Sequence, residues 1–335
     1  MKNLHKIAIL PAVLICFSSV FAQTDGSKGI ELYQQGRYED AVRALKQTTK
    51  VNPDDAEGWY ILGSSYLRIN KIKEAKKAFE KVIDLRPADS QGYVGMSYVQ
   101  IAANKYNEAQ TSAQKALELD AQNFEAHYIL GLLSLGGDSY NAAYNRADKV
   151  IKINPNYADA YLLKSEALTS SFGQLSGTVI KSQTERVGLL REAITNIEKY
   201  LSLSTDGKER TNWLERLESL RFFADYYEKP ENQPRNNFEP NPLRSGNFID
   251  IKINSKPRAE YTDFARNRGI SGIIRLLVGF SADKNIKYIL VLKGLDRGLN
   301  IQAIKAAQKI NFEPATKDGQ PISVVKIIEY SFSIY

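Results

Sequence analysis

A chain of 335 residues allows two or three domains, and 43% hydrophobic with 25% charged residues is the composition of a folded globular protein. That composition excludes a membrane-embedded or intrinsically disordered chain. The net charge of +7 is unevenly spread: positions 246–335 carry fourteen Lys/Arg against eight Asp/Glu, so the basic character belongs to the C-terminal end.

The chain opens with Lys2 and Lys6, followed by an apolar run from Ile7 to Ala22. Val20 and Ala22, just before Gln23, place small residues at both positions of a processing site. This is the layout of a secretory signal covering 1–22, and it predicts a periplasmic mature protein. Sixteen helical residues rise about 24 Å, short of the ~30 Å bilayer core. The alternative is an uncleaved leader that anchors the chain in the inner membrane, facing the periplasm. Cys16 follows the bulky Ile15, where lipoprotein processing needs a small residue. Because Cys16 is the single cysteine, the mature chain offers no disulfide, thiolate nucleophile or cysteine ligand, and His127 is its one histidine.

From Gln23 onward the sequence repeats. Pro53, Pro87 and Pro155 are spaced by 34 and by twice 34, and Ala41, Ala75, Ala109 and Ala143 recur at 34. Tyr38, Ile72, Tyr106 and Tyr140 precede those alanines by three. The second unit reads Trp59, Leu62, Gly63, Tyr66, then Ala75, Phe79, Val82 and Pro87. Its apolar residues fall at helical spacing, so each repeat predicts two helices with one apolar stripe apiece. Small residues at 63 and 75 let those helices approach, and the proline stops the second helix. The pattern resembles the tetratricopeptide repeat, whose signature is W-x2-L-G-x2-Y followed by A, F, A and P. That resemblance implies an all-α solenoid with a binding groove. The groove candidates are Trp59, Tyr60, Tyr66, Tyr93, Tyr128 and Tyr161, positions that repeats also use for core packing.

A fifth unit starts at Ala158, but its alanine comes late, at Ala193, which makes Thr169–Gly188 an inserted loop or a lengthened helix hairpin. Residues 209–229 predict a capping helix through Trp213, Leu217, Leu220 and Phe223. The array therefore spans 23–229. Pro230, Pro234, Pro240 and Pro242 mark 230–247 as a semi-extended linker.

Past Phe248 the period changes. A strand is expected at Phe248–Ile253, a helix at Glu260–Arg268, a hairpin of Ile273–Phe280 and Ile286–Leu292, a helix at Asn300–Ile310, and a long final strand at Ile322–Ile334. Lys256-Pro257, Tyr261, Ala265-Arg266, Gly269-Ile270-Ser271-Gly272, Phe312-Glu313-Pro314-Ala315 and Asp318-Gly319-Gln320-Pro321-Ile322 follow in order. This resembles the C-terminal domain of TonB, the energy transducer of outer-membrane transporters. The expected fold is thus a multidomain chain, a tetratricopeptide-repeat solenoid followed by a small α+β TonB-like domain at 248–335 with an antiparallel sheet. The family has Tyr-Pro where this chain has Tyr261-Thr262, and a repeat array stands where TonB has its anchor and spacer.

No catalytic constellation is present: there is no G-x-S-x-G, no G-x-x-x-x-G-K-[ST] and no second histidine in the mature chain. Asp40, Glu74 and Glu108 sit at solvent-facing repeat positions, and His127 stands where repeats place a packing residue. We therefore expect no enzyme, metal, cofactor or small-molecule substrate. The expected function is a periplasmic adaptor. Its groove would dock one envelope protein or peptide, and its TonB-like domain an outer-membrane receptor or the cell-wall peptidoglycan. The resemblance implies docking by strand addition. The candidate edge strand carries Ile322, Val324, Lys326, Ile328, Tyr330, Phe332 and Ile334. Arg266, Arg268, Arg275, Lys287 and Lys305 form the expected basic surface. Export separates the chain from nucleic acid, and strand exchange through the final strand would give a homodimer. The alternative function is an anchored TonB-type energy transducer with an uncleaved leader.

Overall fold

The structure is a computed structural model, and it describes residues 26–174, 183–204, 207–229 and 247–333. The expected leader, most of the linker and Ile334 lie outside the described residues. Two compact units divide the described residues, with the boundary inside one helix: 145–155 goes with 26–138, and 139–144 goes with the described residues from Asn156 onward.

The first unit is built from helix pairs. These are α1 (Gly26–Gln34) with α2 (Tyr38–Val51), α3 (Ala56–Arg68) with α4 (Ile72–Leu85), and α5 (Ser90–Ala102) with α6 (Tyr106–Leu119). Helix α7 (Phe124–Gly136) then leads into α8 (Tyr140–Ile153). The pairs that begin at α3, α5 and α7 start on a side-chain cap. Asp55 accepts from the Gly58 N–H at 3.0 Å, Asp89 from Gln91 at 3.0 Å, and Asn123 from Ala126 at 2.9 Å. Those caps occupy donors that a helix start otherwise leaves unpaired. The turn inside each pair needs a left-handed residue, and Gly36, Asn70, Asn104 and Asp138 supply it with φ of 76°, 59°, 64° and 60°. Glycine and Asn/Asp tolerate that conformation best.

Small residues set the helix spacing. Ala41, Ala75, Ala109 and Ala143 are all fully buried. Phe79 is fully buried as well, edge-on to Tyr60 with centroids 5.5 Å apart. A Cβ at Gly63 would come within 2.9 Å of the Phe79 ring, so the ring occupies the space a side chain there would need.

The second unit begins at the first residues of α8 and continues through α9 (Ala158–Gln174), α10 (Gln183–Leu203) and α11 (Gly207–Glu228). Helices α9 and α10 have 17 and 21 residues against 13 or 14 in α2 to α8. Of Thr169–Gly188 the described residues are helical, in α9 up to Gln174 and in α10 from Gln183, while 175–182, where the expected loop or hairpin turn falls, lie outside them. Arg191 clamps α11 to α10, reaching Asp225 at 2.7 Å and Glu228 at 2.6 Å.

The same unit contains β1 (Phe248–Ile249), β2 (Lys252–Ser255), α12 (Asp263–Asn267), β3 (Gly272–Phe280) and β4 (Ile286–Lys293). After these come α13 (Arg297–Gln308), β5 (Asn311–Glu313), β6 (Ala315–Lys317), β7 (Gln320–Ile322) and β8 (Val324–Phe332). All pairings are antiparallel, in the orders β4-β3-β8, β1-β6-β7 and β2-β5. Three expectations need correction. The first expected strand is two pieces, β1 and β2, paired to β6 and β5. The first helix is shorter than Glu260–Arg268, because Thr262 caps it by accepting from the Ala265 N–H at 3.3 Å. The final strand breaks at Ser323, since Ile322 pairs with Ala315 of β6 while Val324 pairs with Phe280 of β3.

The sheet β4-β3-β8 is covered on both faces. Ile274, Leu276, Val278 and Phe280 of β3 face a core with Leu299, Ala303 and Ala307 of α13. Leu277 of β3 and Leu290 and Leu292 of β4 instead join the core of α9, α10 and α11. Alternating side chains of one strand therefore serve two cores, as the two-residue period of a strand requires.

Candidate docking edge and the repeat aromatics

Within its sheet β8 pairs on one side only, with β3. Its candidate residues divide. Val324, Ile328, Tyr330 and Phe332 are buried in the core shared with α13. Burial pushes the Tyr330 phenol up to about 12. Lys326 ion-pairs with Asp250, Ile322 belongs to β7, and Ile334 lies outside the described residues. On the other face Val325 and Ile327 pack against the helical core. The side of β8 away from β3 is main chain, and one of its carbonyls is already taken. Lys256 Nζ donates to the Glu329 carbonyl at 3.1 Å, and Glu329 lies opposite Arg275 of β3. A carbonyl taken from outside points away from β3, and the N–H of that residue points the same way. By the two-residue period Val325, Ile327, Glu329 and Ser331 aim their main-chain groups outward. Asp250 was not singled out in the sequence, and Lys256 stood out only through the family resemblance, because each acts across more than seventy residues of chain.

The five basic candidates sit on four elements: Arg266 and Arg268 at α12, Arg275 on β3, Lys287 on β4 and Lys305 on α13. Arg275 is bound by Glu329 at 3.0 Å and Arg266 by Asp263 at 3.6 Å. Arg268 covers the exposed Phe264 ring at 4.3 Å, and Lys287 lies 5.2 Å from the Tyr288 centroid. Lys305 is exposed in the last turn of α13, where a cation complements the helix dipole.

The repeat aromatics also divide. Tyr60, Tyr66 and Tyr128 are buried, Tyr128 completely. Trp59, Tyr93 and Tyr161 are half-buried. Trp59 has a local role, since its indole N–H donates to the Pro53 carbonyl at 2.9 Å and fixes the turn before its helix. His127 behaves as a packing histidine. Its Nδ1 faces Arg146 Nη1 at 2.8 Å and its Nε2 faces the Ala121 carbonyl at 3.2 Å. The guanidinium can only donate and the carbonyl can only accept, so the neutral Nε2–H tautomer satisfies both. Burial, with Arg146 and Lys149 nearby, holds its pKa below 6.5. Glu125, in the first turn of α7, is pushed up to about 7 by burial. Among the described residues no three His, Cys, Asp or Glu side chains converge as a metal site, and no helix is long and apolar enough to cross a membrane.

A helical-repeat array followed by a small α+β domain defines a scaffold of protein-interaction modules. Comparison with known families specifies both parts. Residues 31–161 match the family described as the cytochrome c-type biogenesis protein H TPR domain, and residues 257–334 match the Gram-negative bacterial TonB protein C-terminal family. The second type is associated with the cell envelope. No curated protein matches the chain. Among solved structures, MamA shares 22% identity, covering 55% of this chain and 96% of its own at a TM-score of 0.38. TTC0263, a thermophilic TPR protein of Thermus thermophilus, shares 18%, covering 59% and 97% at 0.48. A monomeric mutant of IFIT1 shares 15%, covering 61% of this chain and 48% of its own at 0.52. At that identity the likeness speaks for the helical-repeat fold alone.

Proposed function

We propose that the protein is a periplasmic adaptor, exported by cleavage after Ala22, with an array at 23–229 and a docking domain at 248–335. The array holds one envelope protein. The C-terminal domain takes an extended segment of an outer-membrane receptor alongside β8. The outward main-chain groups of β8 carry this reading, because both faces of the sheet are already filled and main chain is what remains. Strand addition draws affinity from such groups.

The test removes one outward donor while leaving packing alone. Ser331 is exposed, and proline is tolerated on an edge strand where the N–H faces solvent. Mature protein and its Ser331→Pro variant are incubated with detergent-solubilised outer membrane, and captured receptors are identified by mass spectrometry. Capture by the parent, lost in the variant at unchanged melting temperature, supports the reading. Equal capture by both removes strand addition. The N-terminal mass of the native protein decides the localisation: a start at Gln23 fits a diffusible adaptor, whereas an intact Met1 in the inner membrane fits the anchored transducer.

A further inference from the structure

We propose that the outer end of the helical array is itself a docking surface, and that its occupant is the sheet of this chain's own C-terminal domain. A Pro-rich linker suggests two modules free to swing. The packing describes something else. Phe222 of α11 stacks on Tyr288 of β4 with centroids 4.2 Å apart and planes at 15°. Gly173, in the last turn of α9, lies so close to β4 that a Cβ there would sit 2.6 Å from the Leu292 Cβ. Gly279 of β3 leaves the matching space on the sheet, where a Cβ would meet Phe222 at 2.9 Å. One bare backbone on each side, with an aromatic ring laid against a bare strand position, is the signature of a fitted contact. Leu277, Leu290 and Leu292 are at most 2% exposed there, in one apolar core with Phe172 and Phe223.

These contacts are apolar side chains and rings, so the docking is expected to persist at high salt. Its consequence is that a strand captured at β8 is held fixed to α9–α11, because Val325 and Ile327 of β8 rest on the same helical core. This deepens the adaptor reading and relies on it for purpose, while the docking stands or falls separately.

The experiment cuts the covalent tether and asks whether the contact holds. A specific protease site is inserted between 230 and 246 of the full chain, the purified protein is cleaved, and the products are run on a sizing column. The halves are expected to co-elute at the uncut volume in 0.1 M and 1 M salt alike. Phe222→Asp, on the helical side, and Tyr288→Asp, on the sheet side, should each release the halves. Because they alter opposite partners, misfolding of one half cannot explain both. Separation of the unmutated halves on cleavage would overturn the proposal, and so would co-elution that survives both substitutions. Halves that stay together but capture no receptor uphold the docking and remove the adaptor reading.

Discussion

Phe79→Ala tests the packing logic of the array most directly. The ring is fully buried, edge-on to Tyr60, and lies over Gly63 and Gly95. Truncating a buried Phe to Ala costs about 3–5 kcal/mol, with the higher figures where the site cannot collapse. Here two of the neighbours are glycines with no side chain to move into the void, which points to the upper part of that range. The two tryptophans provide the assay, since Trp59 lies in the first unit and Trp213 in the second. In a Trp213→Phe background, fluorescence during urea unfolding reports the first unit. With a slope of about 2 kcal/mol/M the midpoint should fall by about 2 M. In a Trp59→Phe background the Trp213 transition should move far less, because a repeat array sums nearest-neighbour terms. A loss below about 1 kcal/mol, or equal shifts at both tryptophans, would refute the claim that Phe79 fills space its glycine neighbours leave open.

Other expectations follow from caps, turns and protonation. Asp296 is 5% exposed and caps α13, accepting from Gly298 at 2.7 Å and Leu299 at 3.3 Å; Asp296→Ala should cost about 1–2 kcal/mol in chemical denaturation, and Asp296→Asn much less. Asn104 holds φ at 64°, so Asn104→Ala should lower stability by about 1 kcal/mol in thermal melts while Asn104→Gly should not. The folded-state pKa of His127 lies below its ordinary 6.5, so its contribution to stability is present above that value and fades as pH falls through the lowered one. His127→Gln should flatten this part of the stability–pH curve, and an unchanged slope would remove His127 from the account.

The repeat was legible because its packing residues recur by kind: alanine at 41, 75, 109 and 143 is buried in every case. The left-handed turns recur at the same interval, at 36, 70, 104 and 138, yet three residue types satisfy one backbone need, so the letters do not repeat throughout. The final strand was legible as a strand but not as a surface. Its alternation from Ile322 to Ile334 looks like a partner-facing row, whereas Val324, Ile328, Tyr330 and Phe332 fill the core. Two-residue periodicity tells which side chains share a face; it says nothing of what that face meets. The near-continuous apolar run of β3 carried a further hint, since burial on both faces removes alternation. Strands β5, β6 and β7 have three residues each, too few to show any period.

The evenly spaced joints have a consequence for how this protein can change over generations. The helix pairs that begin at α3, α5 and α7 open on an Asp or Asn cap, and the pairs from α1–α2 to α7–α8 bend on a Gly, Asn or Asp, each joint 34 residues after its counterpart. Deleting or duplicating a segment of that length rejoins a cap to a like cap and a turn to a like turn. The reach of the array is therefore adjustable in whole steps by recombination, with no new joint to invent and the C-terminal domain left in frame.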